Sequence, residues 1–93
     1  MPAINAGIIY LVGGAGRPTS ATITVDNPGQ YDSGSIKWYL NSSQISNGVS
    51  GTNGGTLTLN SATYNNIGLY PVTVEVKISG KLYSQIVTFE VLP

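Results

Sequence analysis

Few residues in this chain of 93 are able to perform chemistry. It contains no histidine and no cysteine, and its four carboxylates are Asp26, Asp32, Glu75 and Glu90. A hydrolase needs an activated nucleophile with a base, or two acids on either side of a substrate. Glu75 and Glu90 lie in two segments of alternating polarity, at the positions that we expect to face solvent. The residue types therefore predict a chain that is not an enzyme, has no catalytic residues and needs no cofactor.

Two segments resemble ligand sites but lack the context that such sites need. Asp26 and Asp32 flank one loop, whereas Ca²⁺ takes about six to eight oxygen ligands. Residues 12–18 resemble a nucleotide-binding glycine loop, which requires a helix directly after it to hold the phosphate. Here Pro18 and a strand pattern follow instead. We therefore predict no metal site, and a flexible connection at residues 12–18.

Three tyrosines form the candidate binding surface. Tyr39 is expected to point outward from a strand, and Tyr31 and Tyr64 lie in or near loops. Exposed tyrosines stack on sugars or anchor protein partners. Single exposed aromatic residues are common, however, and indicate a ligand only when they form a contiguous patch.

The composition excludes several classes of partner. Charged residues make up 9% of the chain, with four Lys and Arg against four Asp and Glu. Nucleic acids and anionic membranes both attract clusters of basic residues, which are absent from this sequence. The longest apolar run, residues 6–12, is far shorter than the ~20 residues of a membrane span. We predict one domain over residues 1–93, with residues 1–6 as a loosely ordered leader or linker, and no membrane insertion.

The dominant pattern is the alternation of period two that is typical of half-buried strands. Residues 47–55 are too polar and too rich in glycine to predict a strand, and residues 79–81 predict a tight hairpin. About seven short strands with turns between them indicate an all-β antiparallel sandwich. The predicted strands are residues 7–12, 21–25, 35–40, 44–46, 56–59, 69–78 and 82–91.

One segment carries a resemblance to a known family. Residues 57–72 read LTLNSATYNNIGLYPV, which resembles strands E and F of immunoglobulin domains, with the pattern L-x-[IL], a small apolar residue, then D-x-G-x-Y-x-C. Gly68 and Tyr70 match that pattern, Asn66 stands where the family has Asp, and Val72 stands where it has a cysteine. Trp38 matches the strand C tryptophan. The resemblance covers about residues 20–91.

The resemblance implies an immunoglobulin-like fold without a disulfide. Its structural core would contain Val25, Trp38 and Val72, with the two valines packing where the family has its two cysteines. Gly68 would let the chain turn a corner, and Tyr70 would return its hydroxyl to backbone near residue 66. Because it lacks cysteines, the chain resembles the immunoglobulin-like domains of bacterial surface proteins and phage particles.

The resulting expectation is a non-catalytic interaction or display module of a phage virion or a bacterial cell-surface protein. It would adhere weakly to surfaces or glycans, or act as a structural spacer, outside the cell or on the virion surface. Its partners would be proteins or glycans on a cell surface, or neighbouring domains of a longer parent protein. The alternative is an accessory carbohydrate-binding domain of a secreted enzyme, led by the three tyrosines.

Overall fold

The computed structural model describes residues 9–10, 19–60, 62–64 and 66–91. Within these ranges the chain forms eight strands and two single-turn 3₁₀ helices. The predicted leader at residues 1–6 and the glycine-rich connection at residues 12–18 lie outside the described residues. The strands are β1 (Ile9–Tyr10), β2 (Ser20–Thr24), β3 (Lys37–Leu40), β4 (Ser43–Ile45), β5 (Val49–Ser50), β6 (Thr56–Asn60), β7 (Gly68–Ile78) and β8 (Lys81–Val91); the 3₁₀ helices are Pro28–Gln30 and Thr52–Gly54.

The strands form two sheets that pack face to face. One sheet has five strands in the order β1-β8-β7-β3-β4, and the other has three in the order β2-β6-β5. This arrangement confirms the predicted immunoglobulin-like sandwich. One described pair departs from the antiparallel prediction: β1 runs parallel to β8, with Ile9 opposite Phe89.

The alternation along the strands determines which side chains form the core. Every second residue of β7 and β8 points between the sheets, as the period of two requires. Alternation also places Ile78 on the inward side, but Ile78 is 36% exposed, because it is the last residue of β7 before the hairpin turn. The buried apolar residues are Ile23, Val25, Tyr31, Ile36, Trp38, Leu57, Leu59, Val72, Val74, Val76, Val87, Phe89 and Val91.

The prediction that residues 47–55 contain no strand is wrong. β5 pairs with β6, with Val49 opposite Leu57, and the backbone N–H of Thr58 donates to the carbonyl oxygen of Gly48 at 2.9 Å. Val49 packs against the core cluster. Backbone pairing and this one apolar contact therefore override the polar, glycine-rich composition of the segment.

Asn53 joins two loops at one end of the sandwich. Its Oδ1 accepts a hydrogen bond from the backbone N–H of Gly34 at 2.7 Å. Its Nδ2 donates to the carbonyl oxygens of Pro28, Tyr31 and Asp32 at 3.2–3.4 Å. One side chain thus fixes the loop that leads into β3. In the described ranges, no helix has the length and apolar character that crossing a membrane requires.

Candidate binding surface

The corner before β7 has the geometry that the family resemblance implies. The hydroxyl of Tyr70 donates to the carbonyl oxygen of Asn66 at 2.7 Å. Gly68 has φ 144°, a backbone conformation that residues with a side chain rarely adopt. The Tyr70 ring stacks on Phe89, with centroids 5.0 Å apart and planes 14° apart. The hydroxyl and the ring together tie the corner to the core.

Replacing Tyr70 with phenylalanine is expected to lower the free energy of unfolding by about 1 kcal/mol, because it removes one net hydrogen bond while keeping the stacked ring. Urea denaturation of both proteins measures the difference. Tyr83→Phe is the matched control, because no hydrogen bond of the Tyr83 hydroxyl occurs among the described residues. Equal losses for the two variants would contradict the role of the Asn66 contact.

The predicted core positions of β3 and β7 lie between the two sheets. Trp38 is 1% exposed, and its Nε1 donates to the carbonyl oxygen of Gly54 at 2.8 Å. Val25 and Val72 are fully buried in the same cluster. Valine side chains thus lie in the core at the two positions that the resemblance matches to cysteine.

The three candidate tyrosines do not form one surface. Tyr31 was expected to be exposed near a loop, but it is only 6% exposed and belongs to the core cluster. Tyr64 is half-buried and packs edge-to-face against Tyr70 and Phe89, at 5.9 Å each. Tyr39 alone of the three lies on the solvent side of the five-stranded sheet. These three tyrosines therefore do not form a common surface on which a sugar could stack.

The Tyr39 hydroxyl lies close enough to the Glu75 carboxylate for that group to influence its pKa. Lost solvation, a hydrogen bond to Glu75 and the negative charge of that carboxylate together raise the pKa of the Tyr39 hydroxyl. All three causes favour the protonated hydroxyl. Tyr39 therefore remains protonated at neutral pH, and its hydroxyl is able to donate a hydrogen bond.

Exposed apolar side chains lie on the same solvent side of the sheet. Leu69 is 67% exposed and Ile86 is 65% exposed, and Pro71 is exposed between them. Pro71 lies opposite Thr88 and Ile86 lies opposite Thr73, so Ile86 and Pro71 are diagonal neighbours. We call Leu69, Pro71 and Ile86 the apolar patch. The signal for it was in the sequence, since these residues occupy the positions of β7 and β8 that alternation assigns to solvent.

A charged cleft lies on the same solvent side of the sheet, between the start of β3 and the turn that joins β7 to β8. Its volume is about 180 Å³. Four of the chain's charged side chains line it, although the whole chain has only four Lys and Arg and four Asp and Glu. Within the described residues, no three potential metal ligands lie together. The lining residues are Asp32, Ser33, Gly34, Ser35, Lys37, Glu75, Lys77 and Leu82.

Comparison with known proteins identifies the fold but does not assign the chain to a family. No protein-family model matches the chain, and no curated protein matches it either. Solved structures do match. Immunoglobulin domains 1–4 of Sidekick-1 superpose with a TM-score of 0.61 at 18% identity, over 97% of this chain and 24% of that chain.

Two further structures extend this comparison. A complex of titin with the obscurin-like 1 immunoglobulin domain gives a TM-score of 0.57 at 18% identity, over 98% of this chain and 93% of that chain. The endo-beta-1,4-mannanase of Thermotoga petrophila gives 0.60 at 11% identity, over 99% of this chain and 20% of that chain. The chain thus spans a quarter or less of the mannanase and Sidekick-1 chains. The likenesses to Sidekick-1 and to the titin complex show an immunoglobulin-like fold.

Proposed function

We propose that this chain is a non-catalytic immunoglobulin-like interaction and display module of a phage virion or a bacterial cell-surface protein. It adheres weakly to a protein or glycan on a cell surface, or packs as a spacer against neighbouring domains of a longer parent protein. It works outside the cell or on the virion surface. The observation that supports this proposal best is the apolar patch.

The apolar patch is suited to contact with another macromolecule. The opposite side of the same sheet forms the core, so the exposed side chains of Leu69 and Ile86 bury little apolar surface on folding. Their apolar character therefore adds little to the stability of the domain. Burying apolar surface stabilises association by roughly 25 cal/mol per Å². Because the patch has only three residues, the contact is expected to be weak. The chain's zero net charge means that long-range electrostatic steering contributes little.

The bacterial or phage origin is supported by the sequence. The chain has no cysteine, and Val25 and Val72 are buried where the resembling family has cysteines. Apolar packing at these positions makes the fold independent of an oxidising compartment. Such independence suits a particle that is assembled in a reducing cytoplasm, as well as a repeated bacterial surface domain.

The double substitution of Leu69 and Ile86 by serine is expected to reduce binding of the fluorescently labelled domain to bacterial cells by several fold, because it removes most of the apolar patch. Flow cytometry with increasing domain concentration measures the bound fraction. Ile67→Ser is the matched control, because Ile67 is also 67% exposed but precedes the sheet. Absence of saturable binding, or an equal loss for the control, would contradict an adhesive role of the patch.

The alternative is an accessory carbohydrate-binding domain of a secreted enzyme. The observation that favours it is the match with one fifth of the mannanase chain, since an accessory domain accounts for only part of an enzyme. Tyr39 is the aromatic residue placed to contact a polysaccharide. This alternative predicts retardation of the wild-type domain in gels that contain mannan, whereas adhesion through the apolar patch predicts none.

A further inference from the structure

One wall of the charged cleft is held firmly against β7. The backbone N–H of Asp32 donates to the carbonyl oxygen of Lys77 at 2.8 Å. The backbone N–H of Lys77 donates in return to Oγ of Ser35 at 3.1 Å. The N–H of Ser35 donates to the carbonyl oxygen of Asp32 at 3.0 Å. The wall is therefore formed in advance, and a ligand does not have to order it.

One of the two carboxylates of the cleft already has donors from the protein. Asp32 accepts from the backbone N–H groups of the hairpin turn: Oδ1 from Ser79 at 2.9 Å and Oδ2 from Gly80 at 2.7 Å. These contacts orient the Asp32 carboxylate and use part of its capacity to accept hydrogen bonds.

The lysines of the cleft differ from its carboxylates in being directed to solvent. Lys37 lies directly opposite Glu75 in the sheet register, and Lys77 lies two residues further along β7 on the same side. Both lysine side chains are exposed, and each ammonium group carries three donor hydrogens. The two lysines thus balance the charges of Asp32 and Glu75, and they supply hydrogen-bond donors that a ligand can reach from solvent.

The size of the cleft limits what can enter it. Its volume of about 180 Å³ is smaller than the roughly 300–1,000 Å³ of pockets that enclose a drug-sized ligand. The cleft therefore accommodates one small unit, either free or at the end of a longer chain. Leu82, which is 53% exposed, provides an apolar contact beside the charged groups.

A sugar acid matches this combination of groups. Its carboxylate pairs with lysine ammonium groups, its hydroxyls bond to serine and carboxylate oxygens, and its C–H groups pack on a leucine side chain. We propose that the charged cleft binds the acidic terminal unit of an oligosaccharide, with Lys37 and Lys77 contacting the sugar carboxylate. This site is distinct from the apolar patch, and the proposal does not depend on the adhesive role given to that patch.

Titration of the ¹⁵N-labelled domain with sodium glucuronate, followed by NMR, tests the site. Amide signals of residues 33–35 and 75–77 are expected to shift and saturate with glucuronate, whereas glucose, which lacks the carboxylate, leaves them unchanged. Lys37→Gln and Lys77→Gln are each expected to weaken binding at least about threefold, because an exposed charge-assisted contact is lost. Lys81→Gln is the matched control, since the Lys81 ammonium lies 5.4 Å from the ring centroid of Tyr83, away from the cleft lining.

Three outcomes would overturn the proposal. Equal shifts with glucose would show that the carboxylate is not recognised. An equal loss in Lys81→Gln would show that only the overall charge matters. Sulfate binding as tightly as glucuronate would show a simple anion site with no contribution from the sugar. The serine variant of Leu69 and Ile86 is expected to bind glucuronate normally, which separates failure of this proposal from failure of the proposed function.

Discussion

Replacing Trp38 with alanine is expected to lower the free energy of unfolding by roughly 3–5 kcal/mol. The side chain is 1% exposed in the middle of the core, so its removal leaves a cavity that the surrounding strands cannot fill. It also leaves the carbonyl oxygen of Gly54 without its indole donor. Domains of this size are stable by about 5–15 kcal/mol, so the loss is a large share of the total. Urea denaturation followed by circular dichroism measures it.

Trp38→Phe separates the two causes of this loss. Phenylalanine keeps most of the apolar volume but cannot donate to the carbonyl oxygen of Gly54. We expect an intermediate loss, between that of the alanine variant and zero, and a protein that remains folded. A loss within about 0.5 kcal/mol in Trp38→Ala, the range of ordinary surface substitutions, would contradict the assignment of Trp38 to the core.

The fold was largely predictable because its signals are local. Alternation in β7 and β8, the Ser79–Gly80 turn and the corner at Tyr70 each depend on residues close together in the sequence. β5 was missed because its pairing with β6 depends on a backbone contact between Gly48 and Thr58, and glycine has no side chain that would indicate a strand. The parallel contact of β1 with β8 joins opposite ends of the described chain, which alternation alone does not indicate.

The candidate site was much less predictable than the fold. Tyr31 looked like an exposed loop residue, but the loop turns inward because Asn53 holds its backbone at several points. The charged cleft combines a loop before β3 with residues of β7 and β8. Asp32 and Ser79 are separated by 47 residues along the chain, and no local pattern brings them together. Sites of this kind depend on tertiary contacts, whereas strand alternation depends on neighbours.

Replacing Gly48 with alanine is expected to lower the free energy of unfolding by about 2–5 kcal/mol, from two separate causes. Gly48 has φ 85°, and a residue with a Cβ adopts such a conformation at a cost of roughly 1–2 kcal/mol. The added Cβ would also overlap the carbonyl oxygen of Thr58. Relief of that overlap requires movement of β6 or loss of the hydrogen bond from Thr58 to Gly48, and crowding of this kind typically costs about 1–3 kcal/mol.

Gly34→Ala carries only the first cause, so the difference between the two variants isolates the second. Gly34 has a similar φ of 70°, but a Cβ built there meets nothing within 4 Å, so only the backbone cost of roughly 1–2 kcal/mol is expected. Its hydrogen bond to Asn53 uses the backbone N–H, which alanine retains. Chemical denaturation of both variants under the same conditions gives the difference. If Gly48→Ala were no less stable than Gly34→Ala, the close approach of Gly48 to β6 would not be a constraint, and the pairing that defines β5 would be in error.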